Sequence, residues 1–138
     1  MRSRTQLLLR PLAVVAATFI LYLTPFLAGQ DSSFHNAPAS AAQMRNPYAD
    51  NAQAAAGGKK LYGQNCAQCH GANLQGIGPA PALDNASTQK AKPGELFWFI
   101  TNGNLNAGMP SWASLPKQQR WQIVTFLQSK LGAKTEAK

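Results

Sequence analysis

The sequence predicts an all-α fold in which three main helices and their connecting loops make one small domain. Three observations lead there. Segments with helix composition and recognisable ends fall at residues 51–64, 93–102 and 116–131. The loop at residues 71–83, with Gly76-Ile77-Gly78-Pro79-Ala80-Pro81, is too irregular for a helix or a strand. No βαβ pattern is visible, and 138 residues leave room for one small domain rather than two.

The first helix is favoured by its alanines and weakened by Gly57-Gly58. Each glycine costs about 1 kcal/mol inside a helix, so the pair needs a compensating role, such as close packing of a second helix. Gly58, Tyr62 and Cys66 are spaced four apart and share one face. The second helix opens at Pro93, a favourable first-turn residue, with Glu95 at its positive end. Its run Leu96-Phe97-Trp98-Phe99-Ile100 must be buried on most sides and alone suits a strand equally well; Pro93 and the closing Asn102-Gly103 favour helix. The third helix starts at Pro116, and Gly132 is expected to stop it after Leu131. Trp121, Ile123, Val124, Phe126, Leu127 and Leu131 form its apolar stripe, while Lys117, Gln118, Gln119, Gln122, Gln128 and Ser129 face water. The polar tail, residues 133–138, is expected to fray.

Ahead of this domain (residues 52–132), Arg2, Arg4 and Arg10 precede an apolar run at residues 12–28. Residues 1–30 are therefore expected to be an export signal, with small-residue cleavage sites at Leu27-Ala28-Gly29 or Ala39-Ser40-Ala41, or else an N-terminal membrane anchor near the lower length limit for a span. Residues 31–51, rich in Ala, Ser, Asn and Pro, read as a flexible tether, with His35 a solvent-exposed loop residue. Asn85-Ala86-Ser87 matches a glycosylation sequon too short to carry weight.

The chemistry concentrates in Cys66-Ala67-Gln68-Cys69-His70, which holds both cysteines of the chain. Cys-x-x-Cys-His is the attachment pattern of a c-type haem. Two thiols on one helical turn can reach the porphyrin vinyl groups, and the adjacent imidazole then meets the iron. A thioredoxin-like disulfide would sit near a βαβ pattern, and a structural zinc site needs four ligands; neither context is present. Of three methionines, only Met109 follows the motif, between Gly108 and Pro110. A soft thioether suits iron as a second axial ligand and raises the reduction potential. Cys66 and Cys69 are thus the expected anchors of one haem c per chain, with His70 and Met109 as iron ligands.

Without Arg2, Arg4 and Arg10, ten of thirteen basic residues remain against five acidic ones, a surplus of +5 before haem propionates. The lysines are scattered and not interleaved with aromatics, which argues against a nucleic-acid partner. Lys59, Lys60, Lys90, Lys92 and Lys117 are candidates for steering an acidic redox partner.

Together, the Cys66-x-x-Cys69-His70 motif, the proline loop, and Gly108-Met109-Pro110 before an amphipathic helix resemble the class I c-type cytochromes over residues 52–131. The resemblance implies that the first and last helices cross at Gly58 and Tyr62, against Ile123 and Phe126. It also implies that a proline carbonyl meets the free ring nitrogen of His70, with Pro79 and Pro81 both fitting. The wording from Pro93 to Gly103, and Gly108-Met109-Pro110-Ser111-Trp112, is similar to small bacterial cytochromes associated with periplasmic quinoprotein dehydrogenases. The expected function is that of a periplasmic electron carrier rather than an enzyme, moving single electrons between a dehydrogenase and an oxidase or other acceptor. The alternatives are a haem-based ligand-binding protein or peroxidase with an open sixth position, and a fixed redox subunit of a larger complex. Three helices in so short a domain bury little apolar surface unaided, so folding is expected to be coupled to haem loading.

Overall fold

A computed structural model describes residues 36–135, excepting the side chains of Gln89 and of residues 131–135. The chain divides into two units between Asp31 and Ser32, and the described residues all belong to the second. The expected export segment (residues 1–30), His35 and residues 136–138 lie outside the described residues.

In chain order the helices are α1 (Ala39–Ala42), α2 (Ala52–Asn65), α3 (Ala67–His70), α4 (Ala86–Lys90), α5 (Pro93–Asn102) and α6 (Lys117–Thr135), with a 3-10 turn at Leu105–Ala107. The described residues hold no strand, only isolated bridges, so the fold is all-α. Among them no helix is long and apolar enough to cross a membrane.

The dominant packing is α2 against α6. Gly58 lies against the Gln122 carbonyl, where a Cβ would collide with that backbone and sit 3.0 Å from Phe126 Cβ. One turn further along α2, the Tyr62 and Phe126 rings meet at 5.3 Å. The helix weakness at Gly58 is therefore offset by a backbone-to-backbone approach that no larger residue permits. Ile123 is almost fully buried beside this crossing. Helix α5 packs on α6 as well, through the stacked rings of Phe97 and Trp121 (4.1 Å), with the Arg120 guanidinium 5.0 Å from the Phe97 ring centroid. Pro93 opens α5, Glu95 accepts from the Lys92 amide (2.7 Å), and Gly103 ends it. Its expected burial holds at Leu96, Phe97, Phe99 and Ile100, while Trp98 is half-buried.

One helix boundary and one extra helix differ from the sequence reading. Helix α6 runs past Gly132 to Thr135, so the tail does not begin to fray at residue 133. A glycine ends a helix only if its backbone turns left-handed; a glycine left within a helix costs merely about 1 kcal/mol. Helix α4 was not anticipated. Asn85 caps it, accepting from the Thr88 amide at 2.9 Å, so the sequon asparagine has a structural task.

The larger correction concerns residues 31–51. From residue 38 onward they are not a flexible tether but a segment docked on the helices. Helix α1 packs on α5, and Ala41 is buried. Gly94 makes the approach possible, because a Cβ there would overlap the Ala41 carbonyl and fall 2.8 Å from Met44 Cβ. Asn46, 8% exposed, donates to Thr125 Oγ1 (3.0 Å) and Gln128 Oε1 (3.4 Å) of α6, and accepts from the Tyr48 amide (2.9 Å). Met44 and Tyr48 pack against the core. Polar composition concealed this docking, since a few buried contacts and one buried amide hold the segment without an apolar period.

Asn46→Ala is expected to destabilise the folded protein by about 1–3 kcal/mol, because it removes the buried side-chain bonds to Thr125 and Gln128. Gly94→Ala is expected to release α1 from α5. Chemical denaturation of both variants, with proteolysis of residues 36–50 as a local probe, checks the pair.

Candidate functional site

Cys66 closes α2 and opens α3, so the chain changes direction at the first cysteine. The amides of Cys69 (3.1 Å) and His70 (2.9 Å) both donate to the Cys66 carbonyl, which puts the two thiols and the imidazole on one tight turn. Cys66 is half-buried and Cys69 exposed. In the chain before any attachment, burial, and secondarily the Cys69 thiol, push the Cys66 thiol up to about 11. Among the described residues no group of three or more His, Cys, Asp or Glu could hold a metal ion, so the zinc alternative finds no further ligands.

The imidazole is fixed from behind. His70 Nδ1 lies 2.9 Å from the Pro81 carbonyl. A carbonyl only accepts, so Nδ1 carries the proton and donates, leaving the lone pair on Nε2. Of the two prolines left open by the sequence, the structure selects Pro81. Pro79 sits in a turn instead: the Ala80 amide donates to the Ile77 carbonyl (3.2 Å), with Gly78 at φ +59° and Pro79 at the two central positions. That order, a left-handed glycine before a residue with fixed negative φ, is a type II′ turn.

Further bonds surround the same residue. The His70 carbonyl accepts from Gly76 N (2.9 Å), the Gly71 carbonyl accepts from the Tyr62 hydroxyl (2.7 Å), and the Leu74 carbonyl accepts from Leu83 N (2.7 Å). At Gly76 the backbone passes so close to residues 80–82 that a Cβ would meet Ala80 O and Ala82 N at 2.7 Å.

Met109 arrives on a separate loop. After the 3-10 turn, Gly108 adopts the left-handed conformation, and Asn104 and Met109 exchange two backbone hydrogen bonds (2.9 and 3.0 Å). Trp112 N donates to the Ile100 carbonyl (3.0 Å), tying the outgoing strand of the loop to α5.

These two loops bring His70 and Met109 to one cleft, which Cys66 also lines. Its walls are mainly apolar: Tyr62, Leu83, Leu96, Phe99, Ile100, Ile123 and Leu127, with Pro81 beneath the histidine. The hydroxyl of Thr88, a polar wall residue, is turned to its own helix cap, donating to Asn85 Oδ1 at 3.2 Å. A thiol, an imidazole with one free nitrogen and a thioether around an apolar slot form a donor set that fits haem c. Cys69, the second expected anchor, is on the motif's exposed side.

Lys59, Lys60, Lys90, Lys92 and Lys117 are all exposed. Sequence reasoning passed over Tyr62 as a hydrogen-bond donor to the motif, and over Gly76 and Asn104. The Asn85-x-x-Thr88 capping spacing was legible, whereas the other bonds join residues whose contact only the fold reveals.

Residues 53–127 match the family described as "Cytochrome C oxidase, cbb3-type, subunit III". Over 92 residues, 62% of the chain, the sequence is 37% identical to "Cytochrome c550" of Pseudomonas aeruginosa, covering 61% of that protein. Over 75 residues, 49% of the chain, it is 35% identical to "Cbb3-type cytochrome c oxidase subunit CcoP" of Azospirillum brasilense, covering 25% of that protein. The chain thus spans about three fifths of the first relative and a quarter of the second.

Burial, and before attachment the nearby Cys66, raise the Tyr62 hydroxyl well above its ordinary 10.0, so folding favours the neutral, donating form. That contribution is complete below the ordinary value and is lost as the pH climbs beyond it. Tyr62→Phe is therefore expected to cost about 1 kcal/mol at neutral pH and to flatten the alkaline loss of stability. Denaturant unfolding of both proteins at neutral pH and near pH 11 checks this.

Proposed function

Because the chain belongs to the cytochrome c family of cbb3-type oxidase subunit III and is a mono-haem c-type cytochrome, we propose that it moves single electrons between redox proteins, with Cys66 and Cys69 anchoring haem c and His70 and Met109 as its axial ligands. One observation carries this reading: an imidazole with its Nδ1 already committed and a methionine thioether line the same apolar cleft. Haem c supplies a ferrous–ferric couple when bound.

The residues of the chain then set its terms. The Nδ1–H donation to Pro81 fixes the His70 tautomer and raises the basicity of Nε2. Met109 opposes this, since a thioether is a weak donor that favours the reduced state. The apolar walls would limit the access of water to the bound group. With His70 and Met109 both lining the cleft, protein donors would occupy the positions at which a small ligand could bind, which disfavours the peroxidase and gas-binding alternatives and supports a carrier without catalysis of its own.

The basic, apolar start of the sequence supports export, giving a periplasmic protein that is either released or held at the membrane by residues 12–28. A quinoprotein dehydrogenase as donor and an oxidase as acceptor fit the family wording noted in the sequence, and the exposed lysines suit an acidic docking surface. The likeness to an oxidase subunit favours a second reading, in which the domain works as a fixed redox subunit.

Haem-loaded protein is expected to show a low-spin ferric spectrum with the weak near-infrared sulfur-to-iron band, which Met109→Ala abolishes while haem stays attached. Cys66→Ser with Cys69→Ser should remove the haem stain from denaturing gels. A high-spin native spectrum would defeat the carrier reading. Steering by the lysines predicts that electron-transfer rates with an acidic partner fall as salt rises, measured by stopped flow.

A further inference from the structure

We infer that Leu74 is a positioning residue for the axial histidine: its left-handed backbone holds the Pro81 carbonyl on His70 Nδ1. The inference rests on the assignment of His70 as iron ligand, which the native spectrum tests separately.

Leu74 has φ +67°, a conformation that costs a residue with a side chain about 1–2 kcal/mol. The other described non-glycine residue in that region, Asp50 at φ +58°, is exposed and of a type that tolerates it. Leu74 is neither. Its side chain is 4% exposed, within the cluster that includes Tyr62 and Phe126. Full burial of a leucine contributes about 1.5–3 kcal/mol, enough to hold the backbone against its preference.

What the strained residue achieves is visible in its two peptide groups. Its amide donates to the Gly71 carbonyl (3.2 Å), next to His70, and its carbonyl accepts from Leu83 N (2.7 Å), two residues beyond Pro81. One residue therefore ties together the chain leaving the histidine and the chain leaving the proline. The 2.9 Å contact between His70 and Pro81 lies inside that closed loop. A right-handed or extended Leu74 would turn its carbonyl away from Leu83 and free the Pro81 segment to move. Leu74 is not among the cleft residues, so its effect on the imidazole passes through this backbone.

The test exploits a conflict between size and conformation. Leu74→Ala keeps the backbone cost and removes the burial that offsets it. Leu74→Gly removes more side chain but abolishes the cost. In haem-loaded protein, NMR exchange of the His70 Nδ1 proton is expected to quicken about tenfold in Leu74→Ala, the factor that about 1.4 kcal/mol of lost positioning represents. The reduction potential should rise with it, since a looser Nδ1–H bond lowers ligand basicity. Leu74→Gly should exchange more slowly than Leu74→Ala and stay nearer the native potential. Equal or faster exchange in the glycine variant would reduce Leu74 to core packing, and native values in both would overturn the inference. If neither variant loads haem, Leu74→Met and Leu74→Ile keep the apolar bulk, and only the β-branched isoleucine resists the left-handed region. Native behaviour in Met with faster exchange and higher potential in Ile supports the role; identical behaviour overturns it.

Discussion

The hydrogen bond from His70 Nδ1 to the Pro81 carbonyl is the constraint on which the site is built. An imidazole on a short turn can rotate about two side-chain bonds. A single acceptor behind the ring removes most of that freedom and chooses the tautomer in the same step. Everything between the two residues serves this bond: a II′ turn reverses the chain, Gly76 lets residues 80–82 pass close by, and Leu74 closes the loop. The loop contains little regular structure because its work is to deliver one carbonyl oxygen, and backbone hydrogen bonds at special φ values do that with few residues.

The helices play a different part. Gly58 and the Gln122 carbonyl lock α2 onto α6, which positions Tyr62 between the helix crossing and the motif. Through its hydroxyl, Tyr62 carries the packing of the crossing to the Gly71 carbonyl, one residue past the histidine. Sequence, packing and site are joined at that residue. A ring that buries against Phe126 also supplies a donor where the chain must turn away from the motif.

The sequence disclosed those parts of the molecule that repeat a local rule. Pro93 and Gly103 bounded α5, and the family resemblance marked Gly58 and Tyr62 as the place where α6 would meet α2. That His70 and Met109 belong together was legible because few residue types suit iron, and the fold does bring the two to one cleft. What stayed hidden depends on contacts between distant segments. Asn46 reads as one more polar residue in a polar stretch until Thr125 and Gln128 stand beside it. Pro79 and Pro81 were indistinguishable by composition, and the contact of the Pro81 carbonyl with His70 Nδ1 separates them. Leu74 carries no sign of its left-handed backbone, since leucine disfavours that conformation and only its burial sustains it.

The two sides of the cleft are not equally held, and this bears on how the molecule would respond to strain at the iron. The His70 side is fastened by bonds from Tyr62, Gly76 and Pro81, and by the buried side chain of Leu74. The Met109 side is held by the paired backbone bonds with Asn104 and by the Trp112 amide on the Ile100 carbonyl, and its tip is exposed from Leu105 to Gly108, with Leu105 79% accessible. Segments with few buried contacts open at lower free energy than those bound into a core. A thioether is also the weaker ligand. Both arguments have the same sign: with His70 and Met109 in the proposed roles, ligand loss should begin at the methionine while the histidine stays in place.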